Sequence, residues 1–125
     1  MLELPLVEGT YDYGDAFEHF IIMEIKRLCD YSQPDWTLAY LRTKDDAEID
    51  LIIERPGQTT VAIEIKSTRQ LDKIKDRSFH TFKNLIKDIP NCKAYIFSQD
   101  PFAQLIDGIE CLPWQQGFKS IGLLD

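Results

Sequence analysis

Two short runs carry acidic and basic side chains in a pattern that could do chemistry. Residues 47–54 and 61–66 alternate largely apolar with charged positions, and the Pro56-Gly57 turn signal lies between them, so both are predicted to be β-strands. Alternation along adjacent antiparallel strands would place Asp50, Glu64 and Lys66 on one face of a sheet. Two carboxylates and an ammonium group on one face could hold a divalent metal beside a charged catalytic group.

The opposite face of the first strand is predicted to be apolar, with Ile49, Leu51 and Ile53 side by side. A plainer alternative exists for the charged face. Charged residues in strands usually face water, and Glu64 and Lys66 would then form an exposed ion pair of small energetic value. The two strands alone do not decide between a site and a solvated surface.

The composition is that of one soluble globular domain spanning residues 1–125, with 44% hydrophobic and 28% charged residues. No apolar run approaches the length of a membrane span, and the acidic start lacks the apolar segment of a secretory signal. The three cysteines, Cys29, Cys92 and Cys111, are odd in number and widely spaced. They are predicted to be reduced thiols of a cytoplasmic protein.

The charge is unevenly distributed along the chain. The net charge of −7 argues against a polyanion partner, but residues 66–93 contain eight basic and three acidic side chains. A basic segment that starts at Lys66 could guide phosphate groups toward that strand. A solvated helix face with mixed charges is the alternative interpretation.

The elements that must position these groups follow from hydrophobic period and from breaker residues. An irregular lead-in over residues 1–13 precedes a helix that starts at Gly14 and has ended by Pro34. The predicted elements after it are strands at 36–43, 47–54 and 61–66, a helix over 71–89, a strand at 92–98, a short helix at 102–106 and a strand at 109–114. The main order is α-β-β-β-α-β, and the crossover through the second helix predicts a parallel pair of strands in a mixed sheet.

Glu18 has two predicted roles in the first helix. It stands three residues after Asp15, a plausible N-cap, as in a capping box. It also falls in the apolar stripe with Ile21, Ile22 and Ile25, which points it inward toward the charged face of the sheet. Burial of a carboxylate is costly unless it is paired or bound to metal, so the second role would be functional.

The order of elements and motifs resembles the PD-(D/E)xK nuclease superfamily, which has a restriction-endonuclease-like α/β fold. That family places a glutamate on a helix, an acidic residue on the second strand and E-x-K or D-x-K on the third. The matching positions here are Glu18, Asp50 and Glu64-Ile65-Lys66. The proline that precedes the motif aspartate in the family is replaced by Ile49, a departure that is not expected to affect metal binding.

A closer resemblance, over roughly residues 9 to 120, is to the nuclease-like C-terminal domain of a family of prokaryotic P-loop ATPases of the AAA+ type. Four motifs carry it in order: Gly14-x-x-Phe17-Glu18, Glu48-Ile49-Asp50-Leu51, Glu64-Ile65-Lys66-Ser67 and Leu112-Pro113-Trp114. The sequence has no Gly-x-x-x-x-Gly-Lys-Ser/Thr motif, so nucleotide binding by a P-loop is not expected. The resemblance implies a stand-alone copy or an excised domain that works with an ATPase module.

The resemblance implies metal-dependent hydrolysis of phosphodiester bonds in nucleic acid, with DNA as the expected substrate. Asp50, Glu64, the Ile65 backbone carbonyl and Glu18 would bind Mg²⁺ or Mn²⁺, and Lys66 would orient the attacking water or stabilise the transition state. The candidate contacts to backbone phosphates are Arg69, Lys73 and Lys75.

A second hypothesis is a non-catalytic module that keeps the nuclease fold and docks nucleic acid or a protein of an ATPase system. The retained set of Asp50, Glu64 and Lys66 favours catalysis, whereas the acidic net charge argues against it. The sequence leaves oligomeric state, DNA against RNA, and internal against terminal cleavage open.

Overall fold

The computed structural model describes residues 11–44, 47–71 and 77–124. The helices and strands in chain order are α1 (Tyr11–Ser32), β1 (Thr37–Arg42), β2 (Glu48–Glu54), β3 (Thr60–Ile65), α2 (Arg77–Ile86), β4 (Cys92–Ser98), β5 (Gln104–Ile106), β6 (Ile109–Pro113) and α3 (Trp114–Ser120). The predicted α/β class and its leading α-β-β-β-α-β order are confirmed.

The described residues form one mixed sheet of six strands in the spatial order β1-β2-β3-β4-β6-β5. The first three strands form an antiparallel meander, β4 lies parallel to β3 across α2, β6 lies parallel to β4, and β5 returns antiparallel to β6. The predicted parallel crossover is therefore confirmed. Because β3 and β4 run in the same direction, their carboxyl ends meet at one edge of the sheet.

The sheet has an apolar core on each face. One core joins α1 and α3 to the sheet through side chains such as Ile21, Ile63 and Phe118. The other joins α2 through Phe82 and Ala62. All five side chains are almost completely removed from water. Burial on both faces explains the nearly continuous apolar sequence of β4, as expected for a central parallel strand.

A register shift in the β1–β2 pair reverses the alternation in the middle of β2. Two steps along β1, from Ala39 to Leu41, correspond to three steps along β2, from Ile52 to Ile49. This extra residue has the geometry of a β-bulge. As a result Ile49 packs in the core of α2, whereas Leu51 packs in the core of α1. The prediction that Ile49 and Leu51 share a face is wrong.

The first helix begins earlier than its sequence suggests. It starts at Tyr11, so the lead-in predicted for residues 11–13 is wrong, while residues 1–10 lie outside the described part of the chain. Asp15 lies inside the helix and is not its N-cap. Glu18 stands beyond the first turn, where the backbone N–H groups already have helical partners, so the capping role is excluded.

The C-terminal third contains a hairpin that was predicted to be a short helix at 102–106. Gln104–Ile106 is instead the edge strand β5, which the tight turn at Asp107-Gly108 joins to β6. Both turn residues have positive φ, 50° and 83°, as a primed hairpin turn requires. The second helix ends at Ile86 and not at residue 89, and residues 72–76 of its predicted range lie outside the described residues.

The helix α3 has no counterpart in the predicted elements. It packs so closely on β4 that a Cβ atom at Gly117 would lie 2.4 Å from the ring of Phe97. Only a residue without a side chain permits this approach. The sequence signals α3 poorly because the helix is short and because glycine is unfavourable in a helix interior.

Candidate functional site

Asp50 lies within the bulged part of β2, with only 9% of its surface exposed. Its Oδ2 atom accepts a hydrogen bond of 2.8 Å from the backbone N–H of Ile65. The backbone pairing of β2 with β3 runs only as far as Leu51 opposite Ile63. Beyond this pair, β3 donates a hydrogen bond to the side chain of Asp50 instead of to the backbone of β2. The bulge directs this side chain between the two strands.

Glu64 lies near the end of β3 and is 5% exposed. Burial raises the pKa of its carboxyl to about 10, and the hydrogen bond with Asp50 and the negative charge of Asp50 act in the same direction. The positive charge of Lys66 opposes the rise in pKa. The fold therefore favours the protonated form of Glu64, whereas a cation bound nearby would favour the ionised form.

Glu18 reaches the same cluster from α1. The pKa of its carboxyl is raised to about 7, mainly by burial. The charge of Asp50 and a hydrogen bond with Asp50 act in the same direction. The charge of Glu48 adds to this rise. The structure thus brings Glu18 to Asp50, as the inward-facing interpretation of the helix expected.

Lys66 follows the last residue of β3 and is half-buried. Its backbone N–H donates to the carbonyl oxygen of Phe97 at 2.9 Å, which fixes the chain immediately beyond the strand. Arg69 follows on an exposed bend. The other two predicted phosphate contacts, Lys73 and Lys75, lie outside the described residues. Ile65 contributes its N–H to Asp50, while metal binding by its carbonyl stays a prediction.

The donor chemistry of the cluster suits a hard divalent cation. Within residues 11–44, 47–71 and 77–124, no three His, Cys, Asp or Glu side chains form a ready metal cage. The carboxyls of Glu18, Asp50 and Glu64 nevertheless interact directly, and all their donor atoms are oxygens. Mg²⁺ commonly binds through one or two carboxylates and keeps several waters, so it does not need a complete protein cage.

Two further polar features near the strand ends were not predicted from the sequence. Asp100, 5% exposed, follows β4 and accepts hydrogen bonds of 3.0 Å from the N–H groups of Leu71 and Phe102 and from the side chain of Gln104. Tyr13 of α1 and Gln99 exchange hydrogen bonds of 2.8 and 3.1 Å. The only local signal was the Asp100-Pro101 break, and neither contact is encoded in sequence spacing.

A groove of about 580 Å³ opens beside the carboxyl cluster, between α1 and β1. One wall is a helical stripe at four-residue intervals, Glu18, Ile22, Lys26 and Asp30. The other wall comes from β1, and Asp50 lies at one end. The groove therefore opens directly onto two of the predicted site residues.

Fold and site together define a mixed α/β domain with a carboxyl cluster where two central strands part. The chain belongs to the DUF4143 family, described as a domain of unknown function, whose family model matches residues 13–116. No curated protein matches the sequence significantly.

A solved structure with a similar fold comes from Thermococcus gammatolerans. It is a half-complex from a tetradecameric assembly of McrB AAA+ hexamers with bound McrC, and the TM-score is 0.52 at 13% sequence identity. The match covers 79% of this chain but only 27% of that chain. At this identity the likeness shows a shared fold alone. In the part of the chain that the structure describes, no helix is long and apolar enough to cross a membrane.

Proposed function

We propose that this domain is a metal-dependent nuclease of the PD-(D/E)xK type that hydrolyses phosphodiester bonds of nucleic acid, with DNA as the expected substrate. The observation that carries the proposal is the convergence of Glu18, Asp50 and Glu64 from three separate elements, with Lys66 acting on Glu64. Asp50 raises the pKa of both Glu18 and Glu64. Buried carboxyls arranged in this way are costly to a fold, and such clusters are typical of functional sites.

Asp50 and Glu64 would hold Mg²⁺ or Mn²⁺, with support from Glu18 and from the Ile65 carbonyl. The bound ion would polarise the phosphate and lower the pKa of the attacking water. Asp50 is already oriented for this role by the N–H of Ile65. Glu64 would exchange its proton for the ion, because a nearby cation favours the ionised form of a carboxyl.

Lys66 would place its ammonium group beside the phosphate on which negative charge develops. Positioned charge of this kind stabilises a transition state strongly in a site that excludes water. The hydrogen bond from its backbone N–H to Phe97 holds the start of its side chain in place. Arg69 would contact a neighbouring backbone phosphate, and Lys73 and Lys75 would extend that contact along the chain.

A non-catalytic module of an ATPase system is the second candidate. Its support is the fold shared with a chain of an assembly of AAA+ hexamers, together with the lack of a ready metal cage among the described residues. On this candidate the domain would dock to an ATPase partner or to nucleic acid and use the cluster for recognition.

The decisive experiment is Mn²⁺-dependent cleavage of single-stranded DNA, duplex DNA, branched DNA and RNA by matched variants. We expect Asp50→Asn and Lys66→Ala to lose at least about a hundredfold in rate. Asparagine is chosen at position 50 because its amide oxygen can still accept the N–H of Ile65. The exposed controls Asp88→Asn and Lys119→Ala should cleave like the wild type.

Calorimetry with Mn²⁺ separates the two candidates if the wild type cleaves none of these substrates. If the wild type binds Mn²⁺ and Asp50→Asn abolishes that binding, the nuclease proposal is retained in the form of an enzyme that needs its ATPase partner. Absence of any heat of binding, with no rise in melting temperature, would reject the nuclease proposal in favour of the docking module.

A further inference from the structure

The groove between α1 and β1 has the shape of a channel for one extended strand. The helical stripe from Glu18 to Asp30 spans about 18 Å at 1.5 Å per residue. The opposite wall runs along β1, which is an edge strand of the sheet. The volume of about 580 Å³ lies within the usual range for a site that encloses a small ligand.

Apolar and aromatic side chains line the groove. Ile22 contributes from α1 and Leu38 and Tyr40 from β1, and Trp36 stands at the end where α1 turns into β1. The guanidinium of Arg55 lies 5.4 Å from the ring centre of Trp36. Hydrogen bonds of 2.8 and 2.7 Å from Arg55 to the backbone oxygen and hydroxyl of Thr59 hold that guanidinium in place. The indole is thus braced before any ligand arrives.

The charges of the groove favour a neutral group over a phosphate. Lys26 is paired with Asp30 at 3.0 Å, and Arg42 is paired with Glu48 at 3.1 Å. Each of these cations therefore already has an acidic neighbour, and Glu18 and Asp50 add negative charge at one end. A phosphate inside the groove would be repelled, whereas a flat, uncharged nucleobase would find apolar and aromatic contacts there.

We propose that the groove holds the base of an unpaired nucleotide while a divalent cation at the Asp50 cluster would hold its phosphate, so that the substrate is single-stranded or locally unpaired nucleic acid. This inference rests on the proposed nuclease function. A base in a duplex is paired and stacked, so it must be unpaired and turned out of the helix before it can enter. Acidic groups along the groove keep the nucleic-acid backbone outside, and the cations Lys66 and Arg69 follow β3 in the chain, outside the lining of the groove.

The test measures binding of two short single-stranded DNA oligonucleotides of equal length and charge in Ca²⁺. One carries 2-aminopurine at its centre, and the other is abasic at that position and both neighbours. We expect wild type to bind the base-bearing strand about tenfold more tightly, since stacking of one base contributes this much. Tyr40→Ala, which removes an exposed ring from the β1 wall of the groove, should remove the tenfold preference.

The matched control is Phe102→Ala, since Phe102 is as exposed as Tyr40, 74% against 75%, but does not line the groove. It should keep the tenfold preference. Ile22→Trp, which fills the groove from α1, provides a second variant, so the test does not depend on the folding of Tyr40→Ala alone. Equal affinity for the two strands, duplex binding as tight as single-strand binding, or an equal loss in the control would overturn the inference.

Cleavage in Mn²⁺ distinguishes failure of the groove assignment from failure of the nuclease. Cleavage without a preference for bases would keep the nuclease and reject the groove assignment. A base preference that Tyr40→Ala abolishes, with no cleavage of any substrate and no binding of Mn²⁺, would reject the nuclease and support the groove as a base-binding site. If the protein bound neither oligonucleotide but bound an oligoarginine peptide tightly, the groove would be a peptide site and the inference would be overturned.

Discussion

The two buried aspartates, Asp50 and Asp100, differ in what surrounds them. Asp100 accepts hydrogen bonds from two backbone N–H groups and one side-chain amide. Asp50 accepts one from the backbone N–H of Ile65 and otherwise interacts with two further carboxyls, Glu18 and Glu64. Asp50 lies in the bulge of β2 and Asp100 lies two residues beyond β4, and both are at most 9% exposed.

This difference separates a structural carboxylate from one arranged for a ligand. Hydrogen bonds to a charged acceptor stabilise it, so the three donors compensate Asp100 for its burial. Within the described part of the chain, the carboxyls around Asp50 lack such donors, and burial together with the charge of Asp50 raises the pKa of Glu18 to about 7 and of Glu64 to about 10. The fold accepts that cost at the carboxyl cluster and avoids it at Asp100. Substitutions at each site should therefore affect stability in opposite ways.

The largest stability effect is expected for Asp100→Asn. An asparagine must point its amide hydrogens at one of the present donors, which leaves a buried donor without an acceptor and costs about 3 kcal/mol of unfolding free energy. Asp50→Asn should leave stability unchanged or raise it, because its amide can donate to the neighbouring carboxyls. Urea unfolding of both variants measures this contrast. Equal losses would mean that Asp50 is as structural as Asp100.

A smaller effect, dependent on pH, is expected for Glu64→Gln. The folded chain raises the pKa of Glu64 from 4.5 to about 10, so its contribution to stability is complete below about pH 4.5 and is lost as the pH rises toward the folded pKa. Glutamine cannot ionise. Near pH 8 without metal, the variant should be more stable than wild type by at least about 1.4 kcal/mol, the equivalent of one pKa unit.

The control for that experiment is Glu54→Gln, an exposed position on the same sheet, which should follow the wild-type pH profile. Mg²⁺ should raise the melting temperature of wild type and have little effect on Glu64→Gln, since metal binds the ionised carboxyl. Parallel pH profiles for wild type and Glu64→Gln would contradict the raised pKa.

The smallest effect is expected for Gln104→Ala, which removes one of the three donors to Asp100. Because this hydrogen bond is only part-buried, its loss should lower the unfolding free energy by about 1 kcal/mol. Thermal unfolding of this variant measures the loss, with Gln116→Ala, an exposed substitution on α3, as the control. A loss no larger than that of the control would show that the backbone donors alone satisfy Asp100.

The parts of the site that follow local patterns could be predicted from the sequence. Glu64 and Lys66 stand in one alternating strand beside a turn signal, and their placement near Asp50 needed only adjacent strands. The reversal at Ile49 could not be predicted, because a bulge depends on the pairing of two strands and leaves no mark in either one. Glu18 stayed undecided because its role depended on where α1 begins.

Other features depend on contacts between distant segments. The three donors that bind Asp100 come from positions 71, 102 and 104, which no local period connects. The hairpin of β5 and β6 did carry a local signal, the Asp107-Gly108 dipeptide, which favours a primed turn. The prediction of a helix at 102–106 is wrong because Phe102, Leu105 and Ile106 suit a short helix as well as a strand, and only the turn distinguishes the two.

The close packing of α3 on β4 links the end of the domain to the proposed catalytic lysine. The ring of Phe97 lies against Gly117 and Phe118, while its backbone oxygen accepts the N–H of Lys66. A fragment that stopped at β6 would retain Glu18, the E-x-K motif and the bulge, yet it would lose the helix that presses on Phe97. The smallest fragment able to hold the lysine in place therefore extends through α3, well beyond the last residue of the site itself.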